Sequence, residues 1–565
     1  MQLSIVAKTE SPAARSSRRP LAVLKFGSSV LRTIDDLPKV AGEIYRARRA
    51  GWQVVAVVSA LAGETDALFA QAAAVAGGVA CKHVADLVSL GEERTAALLA
   101  IACDRIGVPA RICRPELLGL AVEGDALEAR PLALDDAALA AALEATGVLI
   151  VPGFVGTCSE GRRALLGRGG SDLSAVFIAG ALGAERVRLY KDVSGVYDRD
   201  PAVLRDPRRY AEISWADAAR VAGKLIQPQA IEHAAHHGLP VEVAGIGGES
   251  PTRVGACTGA AEPVVPRRPL RIALAGYGVV GQALAARLAA ESDFEIVAIL
   301  VRDPARPRAV RPPCALTDDP EDFLTTGADI LVDALSCDRT GEALCRRAPN
   351  VHIVSASKRV VARAGAALRS AAAAADGSLR HSAAVGGAAP VLETVAAARA
   401  AGGVREVVAT LNGTVNFILH RLAAGACFED ALDEARRAGF AEEDCSSDLD
   451  GHDAAAKLRL IAAEAFGTDP ALLDVAAEAL DAELAGRIAE SGERWVQIAR
   501  LTAAGAEVAL RPARTAGLVP LADEWNLARI TIEDGRVFGC VGRGAGGAAT
   551  AEAIVADLYE VRGAC

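Results

Sequence analysis

Three stretches of this 565-residue chain combine residue types and spacings that suit chemistry. The first is Gly276-Tyr277-Gly278-Val279-Val280-Gly281, which follows an apolar run from Arg271 and precedes a second one, Ile296 to Val301. Strand, glycine turn, helix and strand in about 30 residues is the context in which a G-x-G-x-x-G turn holds a dinucleotide. Gly276 permits the tight turn, Gly278 lets a pyrophosphate approach the backbone, and Gly281 lets helix pack on strand. The helix N-terminus at Val279 and Val280 then faces the phosphates. Arg302 stands about 20 residues past Gly281, where an acidic residue would bind the ribose hydroxyls of NAD. An arginine there accepts a 2′-phosphate, which favours NADP, and the adjacent Asp303 keeps NAD open.

The second stretch, Gly167-Arg168-Gly169-Gly170-Ser171-Asp172, precedes an Ala-rich helix. Successive glycine amides before a helix form an anion-binding nest, and Arg168 adds a fork of donors. The G-x-x-x-x-G-K-[ST] pattern is absent. Upstream, Lys25 ends an apolar run beside Gly27-Ser28-Ser29, and Val54 to Val58 runs into Ser59 and the hydroxyls and acids through Thr65 and Asp66. Ligands of open α/β sheets gather at such strand ends. Glu92, inside Gly91-Glu92-Glu93 on an Ala-rich helix, reads by itself as an ordinary solvated residue. The third stretch runs from Glu442 through Asp448 and Asp453 to Lys457. Asp453 and Lys457 are four apart on one helical face. A surface ion pair is the ordinary reading, and the acid-rich lead-in converging on one lysine argues against it.

These residues need two sheets to position them. Leu21 to Phe26 and Val54 to Val58 read as buried strands of the first half; Ile330 to Ser336 and Val351 to Val360 read as later strands of the glycine-turn sheet, with Ser336 near the nicotinamide. Between them, Val243 to Leu270 is rich in Gly and Pro and marks a domain boundary. A net charge of −10 argues against general nucleic-acid affinity. Twelve cysteines without a C-x-x-C pair point to reduced thiols of a cytoplasmic protein. No run of 18 uncharged apolar residues predicts a membrane span. Residues 1–20, with Arg15, Arg18 and Arg19 among serines, read as a disordered extension.

From Leu21 to about Thr258 the motifs KFGSSV, VVSALAGETD, GEE, GRGGSD, KDVSGVYDRDP and AGKLIQP resemble, in order, those of the aspartate kinase catalytic domain of the amino acid kinase family. The resemblance implies ATP-dependent phosphorylation of the aspartate side chain. Lys25 would stabilise the transferring phosphoryl group. Ser59, Thr65, Glu92 and Arg168 would hold aspartate, while Asp172, Lys191, Asp192, Tyr197 and Lys224 would line the ATP and Mg²⁺ side. Three departures stand out: Ser28 replaces a glycine, Lys191 a threonine, and Ala164-Leu165 a threonine pair.

From Arg271 onward GYGVVG, SASK, AAVGGAAP, LNGTVNFIL, the AEED and DLDGHDAAAK segment, and GRGAGGAATAEAIVADL resemble homoserine dehydrogenase. This implies reduction of aspartate semialdehyde to homoserine with NADP or NAD. Lys457 would be the general acid, tuned by its acidic neighbours, and Lys358 would support cofactor and substrate. Glu442, Asp448 and Asp453 would bind the substrate ammonium, and Gly544 would border the cofactor. The carbonyls of Val385, Gly387 and Ala389 match a site for a monovalent cation such as sodium, although Ser382 stands where a glutamate ligand is usual.

The expected fold class is therefore α/β: an amino acid kinase-like αβα sandwich over 21–258, a linker over 259–269, and a Rossmann domain over 270–380. An α+β catalytic and dimerisation domain over 381–540 and a segment returning to the Rossmann domain over 541–565 complete it. The expected function is bifunctional, in amino-acid biosynthesis toward threonine and methionine; the alternative is a dehydrogenase with a degenerate kinase-like binding or assembly module. Expected partners are the small-molecule substrates, with no nucleic acid or membrane, in a homo-oligomer, dimer or tetramer. Neither the seam nor the chain end leaves room for the ACT regulatory domains that many relatives carry, so weak or absent threonine inhibition of either activity is expected.

Overall fold

The strand Leu21–Phe26 is buried along its whole length, Lys25 included. It lies in the middle of an eight-stranded sheet, paired in parallel with Gln53–Val58 on one side and Arg186–Tyr190 on the other. A parallel strand buried on both faces needs a near-continuous apolar run, which LAVLKF supplies apart from its lysine. The sheet runs Glu212–Ser214, Thr252–Gly255, Val241–Ala244, Arg186–Tyr190, Leu21–Phe26, Gln53–Val58, Val148–Pro152, Arg111–Ile112. Only the pair Val241–Ala244 and Thr252–Gly255 is antiparallel. The computed structural model describes residues 19–79, 81–203, 206–223, 225–248, 250–265, 267–348, 351–438, 440–441, 443–518, 525–544 and 546–564. Lys224, Glu442 and all but the last two residues of the expected extension lie outside the described residues.

The period-two alternation of a strand separates the two faces of this sheet. Leu21, Val23, Val55 and Val57 pack into a core confined to the first half, against the helices Gly170–Leu182 and Pro228–His236. Ala22, Leu24, Phe26, Val54, Ala56 and Val58 point the other way, into a core that also contains Leu270, Ile272, Leu284 and residues of the helix Gly547–Ala564. The two halves thus share one apolar interior.

The second sheet is all parallel, in the order Leu316–Thr317, Phe294–Leu300, Leu270–Ala275, Ile330–Asp333, His352–Ser355, Leu379–Arg380. Numbered along the chain this is 3-2-1-4-5-6, the doubly wound order whose direction reverses beside the first strand. Two of its strands are shorter than expected. The fourth, Ile330–Asp333, ends before Ser336. The expected strand Val351 to Val360 stops at Ser355, because Ser357 caps a new helix, Lys358–Ala374, by accepting from the Val360 amide at 3.3 Å. Lys358 therefore opens a helix instead of extending a strand.

The third large sheet, Val475–Ala477, Gly505–Pro512, Trp495–Thr502, Val404–Thr410, Trp525–Ile532, Val537–Arg543, is antiparallel except at its first pair. The helices Val391–Gly402 and His452–Phe466 cover it through Val395, Leu458 and Ile461. The Gly- and Pro-rich seam is not free of structure: Ala261–Pro263 pairs antiparallel with Arg208–Tyr210.

The helix Gly547–Ala564 is buried on nearly every face and carries charges inside. Glu552 meets Arg287 of the helix Val279–Leu288 at 2.8 Å. Asp557 is held by Arg49 of the first-half helix Leu37–Arg49, which also reaches Glu393 at 3.0 Å and Glu560 at 2.9 Å. Gly42 makes the approach possible, since a Cβ there would lie 2.5 Å from Glu552 Oε1 and 2.7 Å from Arg287 Nη2.

Candidate active sites

In the first half the anion-binding residues converge on one carboxylate. The helix Gly170–Leu182 starts from Gly169 in the left-handed region (φ +76°), and Asp172 falls in its first turn. Lys25 Nζ stands 2.7 Å from Asp172 Oδ1 and Lys191 Nζ 2.9 Å from Oδ2, and the Gln227 amide donates to Oδ2 at 3.3 Å. Lys25 lies in the strand Leu21–Phe26, and Lys191 directly follows the adjacent strand Arg186–Tyr190. Burial opposes ionisation of Asp172, but the two ammonium groups outweigh it and hold its pKa at about 2. Burial is also the largest influence on Lys25, and with Lys191 beside it lowers that ammonium to about 8 against the pull of Asp172. One carboxylate between two lysines leaves a surplus positive charge, next to a helix N-terminus of the same sign. Such a buried surplus calls for an anion.

Glu92 is buried rather than solvated, which corrects the ordinary reading of a lone acid on an Ala-rich helix. Gly91 lets its helix approach the Ser59 turn, where a Cβ would meet Ala60 Cβ at 2.9 Å. The Ala60 amide donates to Glu92 Oε1 at 3.2 Å, and Oε2 has no partner among the described residues. Burial raises the Glu92 carboxyl to about 7. Ser59 Oγ lies 3.1 Å from Ser171 Oγ. Lys25, Ser59, Glu92, Asp172 and Lys191 are thus brought together. Arg168 is exposed at the rim, 3.6 Å from Asp66, and does not touch Asp172. Thr65 is half-buried in the first turn of the helix Glu64–Ala76, Asp192 is exposed, and Tyr197 is half-buried and bridged to Arg209.

The second half repeats the arrangement. Asp453, in the first turn of the helix His452–Phe466, takes Lys358 on Oδ1 and Lys457 on Oδ2, both at 2.8 Å. The i,i+4 spacing of Asp453 and Lys457 therefore marks a buried cluster and not a surface pair. Burial opposes the Asp453 charge, and the two lysines overcome it and hold the carboxyl well below the usual carboxylate range. Lys457 Nζ also donates to the Leu411 carbonyl at 2.7 Å. Asn412, within LNGTVNFIL, is a site residue that the sequence did not single out, and it connects the acids: its Nδ2 donates to Asp448 Oδ1 at 2.7 Å and to Asp453 Oδ2 at 3.0 Å. Its Oδ1 caps the helix Gly413–Ala423 by accepting from the Val415 amide at 2.9 Å. Asparagine before an apolar helical run is an N-cap signal in any sequence; that its amide also reaches two carboxylates depends on how the helices pack. Thr414 adds a hydroxyl to Asp448 Oδ2 at 3.1 Å.

The glycine turn has the shape a dinucleotide requires. Gly276 has φ +102° and a Cβ there would lie 2.6 Å from the Ala334 carbonyl; at Gly281 it would lie 2.1 Å from the Gly276 carbonyl. Around Gly278 no atom lies within 4 Å of a Cβ position, so the space over the N-terminus of Val279–Leu288 is open. A second helix N-terminus, Gly547, abuts Val279, with 2.7 Å between its Cβ position and Val279 Cγ1. Arg302 and Ser336 are exposed at this end of the sheet. At the loop Val385 to Ala389, a Cβ on Gly387 would meet the Arg543 and Gly544 carbonyls at 2.8 Å. The Ala389 carbonyl accepts from the Val391 amide at 2.8 Å, and Ser382 Oγ donates to Glu393.

Residues 20–245 match the amino acid kinase family, residues 276–382 the NAD-binding domain of homoserine dehydrogenase, and residues 390–559 homoserine dehydrogenase itself. Among curated relatives, the aspartokinase of Pseudomonas aeruginosa is 36% identical over 226 residues, 40% of this chain and 55% of that protein. An aspartokinase of Thermus thermophilus is 33% identical over the same share of this chain and 56% of its own length. The chain spans about half the length of the curated relatives it matches. Among solved structures, a homoserine dehydrogenase from Thiobacillus denitrificans is 28% identical over 52% of this chain and 73% of that one, with a TM-score of 0.47. One from S. aureus is 26% identical over 53% and 76%, with a TM-score of 0.44. Among the described residues no helix is long and apolar enough to cross a membrane. The first half of the chain is thus similar to the amino acid kinase family, and the second half to the homoserine dehydrogenase family, NAD-binding domain followed by catalytic domain.

Proposed function

We propose that the chain carries two activities: ATP-dependent phosphorylation of the aspartate side chain, and reduction of aspartate semialdehyde to homoserine with a nicotinamide dinucleotide, NADP in preference to NAD. The observation that carries the first is the surplus positive charge around Asp172, and the one that carries the second is the Lys358, Asp453, Lys457 cluster.

In the kinase reaction an oxygen of the aspartate side chain attacks the terminal phosphorus of ATP and the bond to ADP breaks. The protein contributes position and charge. Lys25 and Lys191, fixed by Asp172, face the transferring phosphoryl group. Lys191, a departure from the aspartate kinase pattern, adds to this charge, which favours an active kinase over a degenerate module. Glu92 receives the aspartate ammonium, Ser59 and Thr65 its polar groups, and Arg168 swings from the rim onto a carboxylate. Asp172 has both oxygens engaged, so the exposed Asp192 is the acid open to Mg²⁺ on the nucleotide, and Tyr197 and Lys224 are assigned to the nucleotide as well.

In the reduction, Gly276 to Gly281 would hold the pyrophosphate of the dinucleotide, with Gly544 bordering the cofactor and Ser336 near the nicotinamide, which supplies the hydride when bound. Lys457 gives its proton to the carbonyl oxygen as the alcohol forms, and takes it back in the reverse direction. Asp453 and the Leu411 carbonyl aim Lys457, while Lys358, on the other oxygen of Asp453, faces the cofactor. Asp448 and Glu442 bind the substrate ammonium, and Asn412 keeps Asp448 and Asp453 in one register. A cation such as sodium would rest on the Val385, Gly387 and Ala389 carbonyls without help from Ser382, whose hydroxyl is turned to Glu393.

Purified protein is expected to form aspartyl hydroxamate from aspartate, ATP and hydroxylamine. Lys25→Ala should lower that rate by roughly 100-fold or more and spare homoserine oxidation; Lys457→Ala should do the reverse. Homoserine oxidation without any hydroxamate would leave the first half a binding module. The pH dependence follows from two groups of the free enzyme. Glu92 must lose its proton, at about 7, and Lys25 must keep its own, up to about 8. Kinase kcat/KM for aspartate should therefore rise through about 7 and fall through about 8, and Glu92→Gln should remove the acid limb; a flat profile would rule out both roles. Asn412→Ala should reduce kcat for homoserine oxidation by roughly 10- to 100-fold, the worth of a charge-assisted hydrogen bond, and an unchanged kcat would remove its positioning role. Replacing Arg302 by Asp should move cofactor preference from NADP toward NAD, and the assignment fails if the ratio of the two kcat/KM values stays put.

A further inference from the structure

A cavity of about 970 Å³ lies between the two halves, lined by none of the residues assigned to either reaction. Its walls come from the first-half helix Leu37–Arg49 and, across the gap, from Glu393 and the strand Val537–Arg543. Arginine dominates the lining, and most of it is neutralised. Arg46 pairs with Glu43, Arg49 with Asp557, Glu393 and Glu560, Arg188 with Glu242 at 2.7 Å, and Arg536 with Asp534 at 2.8 Å.

Two arginines are different. Arg48 donates only to the Trp52 carbonyl, at 3.0 Å, and Arg19 only to the Gly539 carbonyl, at 2.6 Å. Among the described residues neither has a carboxylate partner. Both line the cavity together with Cys540, Arg19 through its bond to the neighbouring Gly539, and burial, with the charge of Arg19, lowers the Arg48 guanidinium to about 10. Two like charges sharing a partly enclosed space repel, at a cost that a bound anion removes. Guanidinium groups present forked N–H donors that match phosphate and carboxylate oxygens.

We propose that this cavity is a binding site for a small oxyanion, phosphate or carboxylate, held between Arg19 and Arg48. Arg48 belongs to the first half, and Arg19 is anchored on Gly539 of the second. An anion touching both fixes Arg19, whose bond to the Gly539 carbonyl joins the halves, and occupancy stabilises the docked chain by mass action.

The test uses the full chain saturated with NADP⁺ at constant ionic strength. Thermal unfolding and calorimetric titration are followed with inorganic phosphate and, separately, with succinate. Saturable stabilisation is expected, with at least a tenfold weaker Kd in both Arg48→Gln and Arg19→Gln, and no change in Arg111→Gln, an exposed arginine away from the cavity. Arg48→Lys, which keeps the charge and loses the fork, should fall between and serves if Arg48→Gln does not fold. Response to phosphate alone identifies a phosphate-type ligand, response to succinate alone a carboxylate, and response to both a general oxyanion site. No saturable response to either probe, or equal affinity in the wild type, Arg19→Gln and Arg48 variants, overturns the proposal.

Discussion

Each half of this chain is built around an aspartate buried between two lysines. Asp172 carries Lys25 and Lys191, and Asp453 carries Lys358 and Lys457. A lone buried carboxylate would protonate and a lone buried ammonium would lose its proton; together they stay charged. Two cations on one anion place positive charge at each site, buried at Lys25 and Lys191 and partly exposed at Lys358. In both proposed reactions negative charge develops on an oxygen, on a phosphoryl group in one and on a carbonyl in the other. A fixed cation in a dry pocket stabilises that charge without reorganisation at the moment of reaction. The folds around the two clusters are unrelated, a parallel sheet with its helix N-terminus in one and helices over an antiparallel sheet in the other.

The second constraint is the joint. Helix Gly547–Ala564 is buried among the Rossmann helix, the first-half helix Leu37–Arg49 and the apolar face of the first-half sheet. A helix buried all round cannot hold its own glutamate and aspartate without partners. Arg287 and Arg49 provide them from opposite halves. The contact extends to the cofactor end, where the Arg543 amide donates to the Gly107 carbonyl at 3.3 Å and a Cβ on Gly107 would lie 2.7 Å from Arg543 Cβ. Gly107 belongs to the first half, whereas Arg543 precedes Gly544 in the loop beside the glycine turn. The proposed kinase and dehydrogenase are therefore welded through a charged, close-packed surface, with the seam between them short and partly paired.

Much of the fold was legible because its signals are local. Apolar runs of strand length, glycine at turns and alanine-rich helices announce parallel α/β layers, and GYGVVG carries its own flanking strands. Strand ends were less legible: Ser357 stops one strand by capping a helix, a choice that β-branched Val360 and Val361 obscured. At the sites, Lys25, Asp172, Asp453 and Lys457 stood out by type and spacing. Glu92 did not, since its burial depends on Gly91 letting two elements touch. Asn412 showed only its capping role, and the exposure of Arg168 could not be read from a glycine-rich loop.

The sequence by itself determined the chain's two-part organisation, the dinucleotide turn and the identity of the charged residues, because these depend on neighbours within one turn or one strand. Tertiary structure alone decided which charges meet. Lys25 and Lys191 lie far apart along the chain, as do Lys358 and Lys457, and each pair shares an aspartate only because strands pair and helices pack. Electrostatic energy depends on distance and dielectric, which chain order does not encode. The same holds for Arg19 and Arg48, which folding leaves facing one cavity without a carboxylate partner among the described residues.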